Sequence, residues 1–381
     1  MRILSISLGR RGGFPVYGLE MTRALAEICD VSLLVASGSE NIDEWRKMSC
    51  RRMEVSTYHN NISGVLSFVN IPKFLAIKKY ILECEPDIVY YPGSHYWKFI
   101  LDRIVPQNTP IAMTVHDPLI HPGEGALINK IIAALETRRP DLYILLNESQ
   151  KDAFIRSKNI SEEQVLVLPH GIFSSYRNSV SKLENFQEFE SLKGHTGEYF
   201  LFVGRIIKYK GIETMLKAFR DSLDKTKRIL VIAGSGTFSE SERSEIAKIP
   251  QTRLKIFNHW LSDSEIATLT ANAFMTILPY EGATQSGVIP MSAAFGTPSI
   301  ASDSGGLKEQ IIEGETGFIF PSGDAGELEN DIIKSSELSN ETYLKMRKET
   351  LRNATEKWDW GVLALKLVDF LEAARDNAGN S

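Results

Sequence analysis

The sequence predicts an α/β protein made of two doubly wound domains of similar size. Three observations carry this. The chain has 381 residues, a length that suits two cores of ordinary size. Short β-rich runs alternate with longer amphipathic runs in two successive series, the pattern of βαβ units and parallel sheets. Between the series, residues 174–197 turn rich in Ser, Asn, Glu and Lys, the composition of a connection.

The first series has strands at 2–8, 31–36, 87–91, 110–115, 140–146 and 165–168. Helical stretches fall near 15–28, 64–83, 96–105, 125–138 and 148–157. The last strand runs out at Leu168-Pro169-His170-Gly171. Residues 174–197 read as a linker with a poorly packed approach segment. The second series opens at Tyr199-Phe200-Leu201-Phe202-Val203 and continues with strands near 228–233, 253–257, 273–278, 298–301 and 317–320. Its helical stretches lie near 211–223, 239–248, 262–271, 287–295 and 306–313, and a final amphipathic run covers 325–375 with a break near Trp358. The domains therefore span 1–175 and 195–358. Sheets of this kind bind ligands at the carboxyl ends of their strands, so two such domains facing a central cleft can share one site.

Composition narrows the function classes. Hydrophobic residues make up 43% and charged residues 24% of the chain, the balance of a globular protein. The net charge of -5 argues against nucleic acid as a partner. Cys29, Cys50 and Cys84 are odd in number with no CxxC spacing, which fits a reducing compartment and neither a disulfide framework nor a zinc site. No segment has the length of a membrane span, and the N-terminal apolar run is too short for a signal peptide. A cytoplasmic protein is expected.

Several short motifs sit at strand ends. Val203-Gly204-Arg205 closes a strand and Lys210-Gly211 opens the next helix. A helix start attracts anions, and Arg205 with Lys210 adds two cations there, so a diphosphate is the natural ligand. The plain alternative is a loop with two incidental cations. Tyr280-Glu281-Gly282-Ala283-Thr284-Gln285-Ser286-Gly287-Val288 follows another strand and leads into an apolar helix. Thr284 or Ser286 can cap that helix, leaving first-turn amides for an anion or sugar; an ordinary N-cap is the competing reading.

Gly12-Gly13 follows the first strand and permits close approach of backbone to a ligand. Neither this loop nor Gly234-Ser235-Gly236 completes GxGxxG, which counts against a dehydrogenase. His116-Asp117 and His170-Gly171 end strands on the ligand-binding edge, although a lone histidine is more often structural. No Asp-x-Asp, GxSxG, HExxH or GxxxxGK[ST] occurs. Cations and helix ends are therefore expected to do the work of a metal ion.

In their order and spacing, the Gly-Gly loop, His116-Asp117, Pro169-His170-Gly171, Val-Gly-Arg with Lys-Gly, Pro279-Tyr280-Glu281 and Ser304-Gly305-Gly306 resemble the retaining glycosyltransferases of family 4. The resemblance covers nearly the whole chain and is densest from Tyr199 to Phe320. It implies the GT-B fold, two Rossmann-like domains facing a central cleft, with a terminal helix of about 360–381 crossing back to the first domain. Trp358 and Trp360 are the expected anchors of that crossing. By this resemblance, Arg205 and Lys210 hold the donor diphosphate beside Gly204. Gly12 and Gly13 lie beside donor phosphate and acceptor, His116 lines the reacting centre, and the backbone from Gln285 to Val288 contacts sugar and phosphate. His170 and Thr284 complete the donor side and Asp117 the acceptor side; Glu281 is expected to replace in part a missing sugar-contacting glutamate from a shifted position, the plain alternative being a solvated loop carboxylate. The family usually carries two glutamates separated by seven residues. Counting back from Gly296-Thr297-Pro298 places them on Ala283 and Met291, so this chain lacks both.

The expected activity is transfer of a sugar from a UDP- or GDP-linked donor, with retention and with no cofactor, to a saccharide or lipid-linked acceptor. A nucleotide-sugar epimerase of the same fold and a catalytically inactive nucleotide-sugar binding protein are the alternatives. One stretch bears on the acceptor. If helical, Lys73, Lys78 and Lys79 flank an apolar stripe of Ile71, Phe74, Leu75, Ile77, Tyr80 and Ile81, a pattern that can lie on the anionic inner face of the plasma membrane. The competing reading packs the stripe on the sheet and leaves the lysines solvated.

Overall fold

The computed structural model describes residues 1–57, 70–116, 140–172, 174–177, 179–283 and 285–379. The chain divides into two compact units, Met1–Gly171 with Trp360–Ser381, and Ile172–Asp359.

In the first unit the strands are β1 (Arg2–Ser7), β2 (Asp30–Ala36), β3 (Arg51–Val55), β4 (Ile88–Tyr91), β5 (Ile111–Val115), β6 (Leu142–Leu145) and β7 (Val165–Val167). Among the described residues they form a seven-stranded sheet in the order β3-β2-β1-β4-β5-β6-β7, every pair parallel. The helices described between them are α1 (Gly13–Ala26), α2 (Ile42–Lys47), α3 (Ile71–Cys84), α4 (Lys98–Ile104) and α5 (Lys151–Lys158).

Strand alternation sorts the two faces. Ile3 of β1 packs with Tyr17, Leu25, Val31, Leu33 and Leu363 on one side. Leu4 and Ile6 pack with Phe74, Ile77, Ile81, Trp97 and Leu101 on the other. The C-terminal helix, Trp360–Gly379, belongs to the first face: Trp360, Leu363, Ala364, Leu367 and Leu371 are buried there. Their spacing of three, four and seven keeps them on one stripe.

The second unit repeats the plan. Its helices are α6 (Ser174–Arg177), α7 (Ile212–Asp221), α8 (Glu240–Lys248), α9 (Asp263–Ala271), α10 (Val288–Ala294), α11 (Ala325–Ser336) and α12 (Asn340–Trp358). Its strands are β8 (Tyr199–Val203), β9 (Ile229–Ala233), β10 (Leu254–Phe257), β11 (Met275–Leu278), β12 (Ser299–Ser302) and β13 (Gly317–Phe320). They form a parallel sheet in the order β10-β9-β8-β11-β12-β13. In both sheets the order of strands reverses next to the first strand, at β1/β4 and at β8/β11, and ligands of open α/β sheets bind at such a switch point.

The structure corrects parts of the sequence reading. Residues 174–197 are not a poorly packed approach. Leu183, Phe189 and Leu192 are buried, and the Phe189 ring meets Phe257 edge-on at 4.9 Å between centroids. Three aromatic and aliphatic anchors outweigh a polar average. The stretch at 306–313 is a single 3-10 segment, Gly305–Gln310, not an α-helix. α2 and β3 were missed: both are short, and β3 opens on the charged pair Arg51-Arg52. The described part of the 64–83 stretch is helical from Ile71. The helix expected at 125–138 lies outside the described residues.

Candidate functional site

In the second unit, β8 ends at Val203 and the chain passes through Gly204 and Arg205 into a 3-10 turn, Lys208–Lys210, before α7. Across the switch point, β11 ends at Leu278 and runs through Pro279-Tyr280 and residues 281–287 into α10. The two connections are tied together. The Glu281 amide donates to the Tyr209 carbonyl at 2.8 Å. The Lys210 ammonium lies 3.5 Å from the Tyr280 ring centroid, a close cation–π contact that fixes a flexible lysine stem. Gly211, with φ of 64°, is the N-cap of α7 and offers no side-chain cap. A Cβ there would come within 1.8 Å of the Pro279 carbonyl oxygen. Only glycine lets the Lys210 loop close on the Pro279 strand end.

Arg205 is exposed, while its neighbour Ile206 is buried and donates to the Ser235 carbonyl at 2.9 Å. The guanidinium is therefore presented from an anchored backbone. Arg205 and Lys210 are thus held on one edge, the carboxyl ends of the strands. That arrangement can neutralise charge on a phosphate group.

The loop at 281–287 is held from several sides. The Tyr280 carbonyl accepts from the Ser302 hydroxyl at 2.5 Å and the Ser322 hydroxyl at 3.1 Å. The Ala283 amide donates to Ser304 Oγ at 3.0 Å. Ser286 Oγ accepts from the Val288 amide at 3.1 Å, so Ser286 serves the first turn of α10 as the sequence suggested, although Gly287 is the N-cap residue. Glu281 is exposed and its Oε1 takes the Thr214 hydroxyl at 3.4 Å, a long bond that leaves the carboxylate adaptable. Ala283 and Met291, at the positions where paired glutamates would stand, are buried. Thr284 lies outside the described residues.

In the first unit, Gly12 has φ of 81° and its amide donates to Glu40 Oε1 at 2.8 Å. The Glu40 amide in turn donates to the Arg10 carbonyl at 2.9 Å, so the glycine loop leans on the turn after β2. A Cβ on Gly12 or Gly13 would meet nothing within 4 Å. Arg11, Gly12 and Gly13 are exposed, and the two glycines put no side chain over this backbone.

His116, at the end of β5, is buried, and its Nε2 hydrogen goes to the Pro92 carbonyl at 2.8 Å. In the neutral ring this puts the lone pair on Nδ1. Phe14 and Tyr17 of α1 pack edge-on against it at 4.6 and 4.7 Å between centroids. Tyr17 also meets His170 at 5.4 Å, so one ring joins both histidines to the glycine loop. His170 in addition contacts Trp360 at 5.9 Å. The sequence reading missed Phe14 and Tyr17, which look like ordinary helix apolars; only the fold sets them against histidines. Asp117 lies outside the described residues.

Burial drives the His170 pKa down from 6.5 to about 4, with the charge of His116 acting in the same direction and the bond to the Gly171 carbonyl opposing both. The unfolded chain therefore binds a proton between those values that the folded unit refuses. Stability is fully present above pH 6.5 and falls as pH drops towards 4, by up to ~3 kcal/mol for this group. His170→Gln should flatten that part of the stability curve in urea melts between pH 7 and 4; an unchanged slope would show that His170 titrates normally.

Comparisons with known proteins come from both units. The profile described as Glycosyltransferase Family 4 matches residues 11–175, and that described as Glycosyl transferases group 1 matches residues 184–357. The chain is similar to an uncharacterized glycosyltransferase of Methanocaldococcus jannaschii, 21% identical over 92% of either chain. It is similar to a capsular polysaccharide biosynthesis glycosyltransferase of Staphylococcus aureus, 27% identical over 48% of either chain. Among solved structures it resembles Anabaena HepE in complex with UDP, with a TM-score of 0.72 and 16% identity over 98% of this chain and 100% of that one. The two parallel-sheet units are those of the GT-B fold.

Proposed function

This chain belongs to the group 1 glycosyltransferases of family 4, and from that premise we propose that it moves a hexosyl group, with retention, from a UDP- or GDP-linked donor to a saccharide or lipid-linked acceptor. The observation that carries the reading is the pairing of Arg205 and Lys210 at the β8/β11 switch point, with Lys210 fixed over Tyr280. Departure of a nucleoside diphosphate builds negative charge on the β-phosphate, and cations already in place there lower the barrier. The bond from the sugar C1 to the β-phosphate oxygen breaks. The acceptor oxygen bonds to C1 on the same face, and its proton passes to an oxygen of the leaving diphosphate.

On this reading, in the second unit Gly204 and the 285–288 backbone line the donor phosphates and sugar and Glu281 reaches donor hydroxyls; in the first unit Gly12, Gly13 and His116 serve the acceptor. A role in surface polysaccharide or glycoconjugate synthesis is supported by the similarity to the capsular polysaccharide enzyme of Staphylococcus aureus. The test is a thermal-shift screen of UDP- and GDP-sugars, since a bound donor raises Tm by mass action, followed by turnover with the donor that binds. We expect turnover to persist in EDTA, because Arg205 and Lys210 already supply the positive charge. Loss on chelation with rescue by Mn²⁺ would overturn that part. Donor binding without transfer to any acceptor would favour a binding protein, and epimerisation of the donor an epimerase.

We further propose that the acceptor side meets an anionic membrane surface at the cytoplasmic face. The stripe read from the sequence divides in two: Phe74, Ile77, Tyr80 and Ile81 are buried on the sheet, whereas Ile71 and Leu75 are 65% and 60% exposed, and Leu82, outside that stripe, is 50% exposed beside them. Exposed Lys78 and Lys79 lie among them. Lys73 is engaged elsewhere, donating to the Ser56 carbonyl at 2.7 Å. The outer face of α3 thus combines apolar and basic groups. No described helix is long and apolar enough to cross a membrane. Flotation with anionic vesicles at low salt should carry the protein upward, and added salt or Leu75→Ser should reduce it. Absence of flotation at low salt would point to a soluble acceptor.

A further inference from the structure

The loop at 281–287, where Ala283 stands at the first glutamate position, is clamped by a residue that none of the motifs contains. Gln310, at the end of the 3-10 segment Gly305–Gln310, is 7% exposed. Its Nε2 donates to the Ser286 carbonyl at 3.1 Å. A carbonyl can only accept, so this bond fixes which end of the carboxamide faces Ser286. The other end, Oε1, is buried and takes no hydrogen bond from the described residues. One residue before Ser286, the Gln285 Oε1 is likewise buried and without a donor.

Buried acceptors are rarely left empty, because an unmade hydrogen bond costs more than a made one returns. One belongs to Gln285, next to Ser286 in the chain, and the other to the side chain that holds the Ser286 carbonyl; Lys210 and Ser304 lie on turns bonded to the same loop. Ala283 and Met291 have no acceptor to offer, and a sugar is a set of hydroxyl donors. We propose that Gln310 supplies the missing acceptor of the donor site: its Nε2 holds the Ser286 carbonyl, and its Oε1 takes a hydrogen from one hydroxyl of the donor sugar, with Gln285 Oε1 beside it. This rests on the reading of the chain as a nucleotide-sugar transferase. It assigns sugar selectivity to a neutral amide in place of a carboxylate.

The test compares Gln310→Met with the wild type by calorimetry, using UDP, GDP, UDP-glucose and GDP-mannose, and then the 2-, 3-, 4- and 6-deoxy analogues of the nucleotide sugar that binds. The variant should bind the bare nucleoside diphosphate within about twofold of wild type and the intact nucleotide sugar roughly tenfold more weakly, the size of one neutral hydrogen bond at a buried site. One deoxy analogue should lose that factor against wild type and lose nothing further against Gln310→Met, the signature of a direct contact. Equal weakening of nucleotide and nucleotide sugar, or deoxy losses identical in the two proteins, would reduce Gln310 to a structural clamp and overturn the proposal. If Gln310→Met does not fold, Gln285→Leu carries the same comparison, and an unaltered deoxy profile there overturns it equally. A wild type that binds neither nucleoside diphosphate would instead overturn the transferase reading, and this assignment with it.

Discussion

Arg205→Ala and Lys210→Ala should each lower kcat/KM by two to three orders of magnitude while the protein still folds. Each removes one charge from the place where the leaving diphosphate gathers negative charge, a loss on the order of 2–4 kcal/mol in transition-state stabilisation. The two are not equivalent in the folded protein. Arg205 is exposed on an anchored backbone, so its removal leaves little to collapse. Lys210 also covers the Tyr280 ring at 3.5 Å, and its loss should lower Tm slightly as well as activity. Lys210→Arg keeps the charge but not the compact ammonium over the ring, and should recover only part of the rate. Steady-state kinetics with the donor identified by thermal shift decide the matter. Rates near wild type for both alanine variants would remove the diphosphate from this edge of the sheet.

Gly211→Ala should be the most damaging single methyl in the second unit. Its φ of 64° disfavours any side chain, and the new Cβ would sit 1.8 Å from the Pro279 carbonyl oxygen, a backbone atom at the end of a core strand. The strand end or the α7 start must move. A cost on the order of 3–4 kcal/mol follows, which for a domain of this size lowers Tm by roughly 10 °C. Because the displaced groups are Pro279-Tyr280 and the Lys210 turn, donor affinity should fall with stability. Gly282→Ala is the control: a Cβ there meets nothing within 4 Å, so its Tm should stay within about 2 °C of wild type. Calorimetric scans of the two variants side by side would show this, and equal Tm values would mean that the 205–211 turn yields without strain.

The class of fold and the strand ends that carry the chemistry are legible along the chain. Parallel strands buried on both faces are nearly continuous apolar runs, and Tyr199–Val203 or Ile229–Ala233 can be read directly as such. Capped helices such as those started by Ser239 and Ser262, each with its glutamate three residues on, announce themselves through local hydrogen bonding. The order of short motifs pointed to Arg205, Lys210, His116 and the 285–288 loop because those residues follow strands in the sequence. What depends on distant partners was not legible. The polar average of 174–197 concealed Leu183, Phe189 and Leu192, whose burial requires knowing that Phe257 lies opposite. Tyr17 looked like one more apolar position on a helix until the sheet order set β5 and its His116 beside α1. Gln310 sits 24 residues beyond the Ser286 carbonyl that it holds, and no periodicity links them. Local propensity and alternation are written along the chain and survive in the sequence; a hydrogen bond or ring contact between residues from different strands' loops exists only once the parallel sheet has placed those loops side by side.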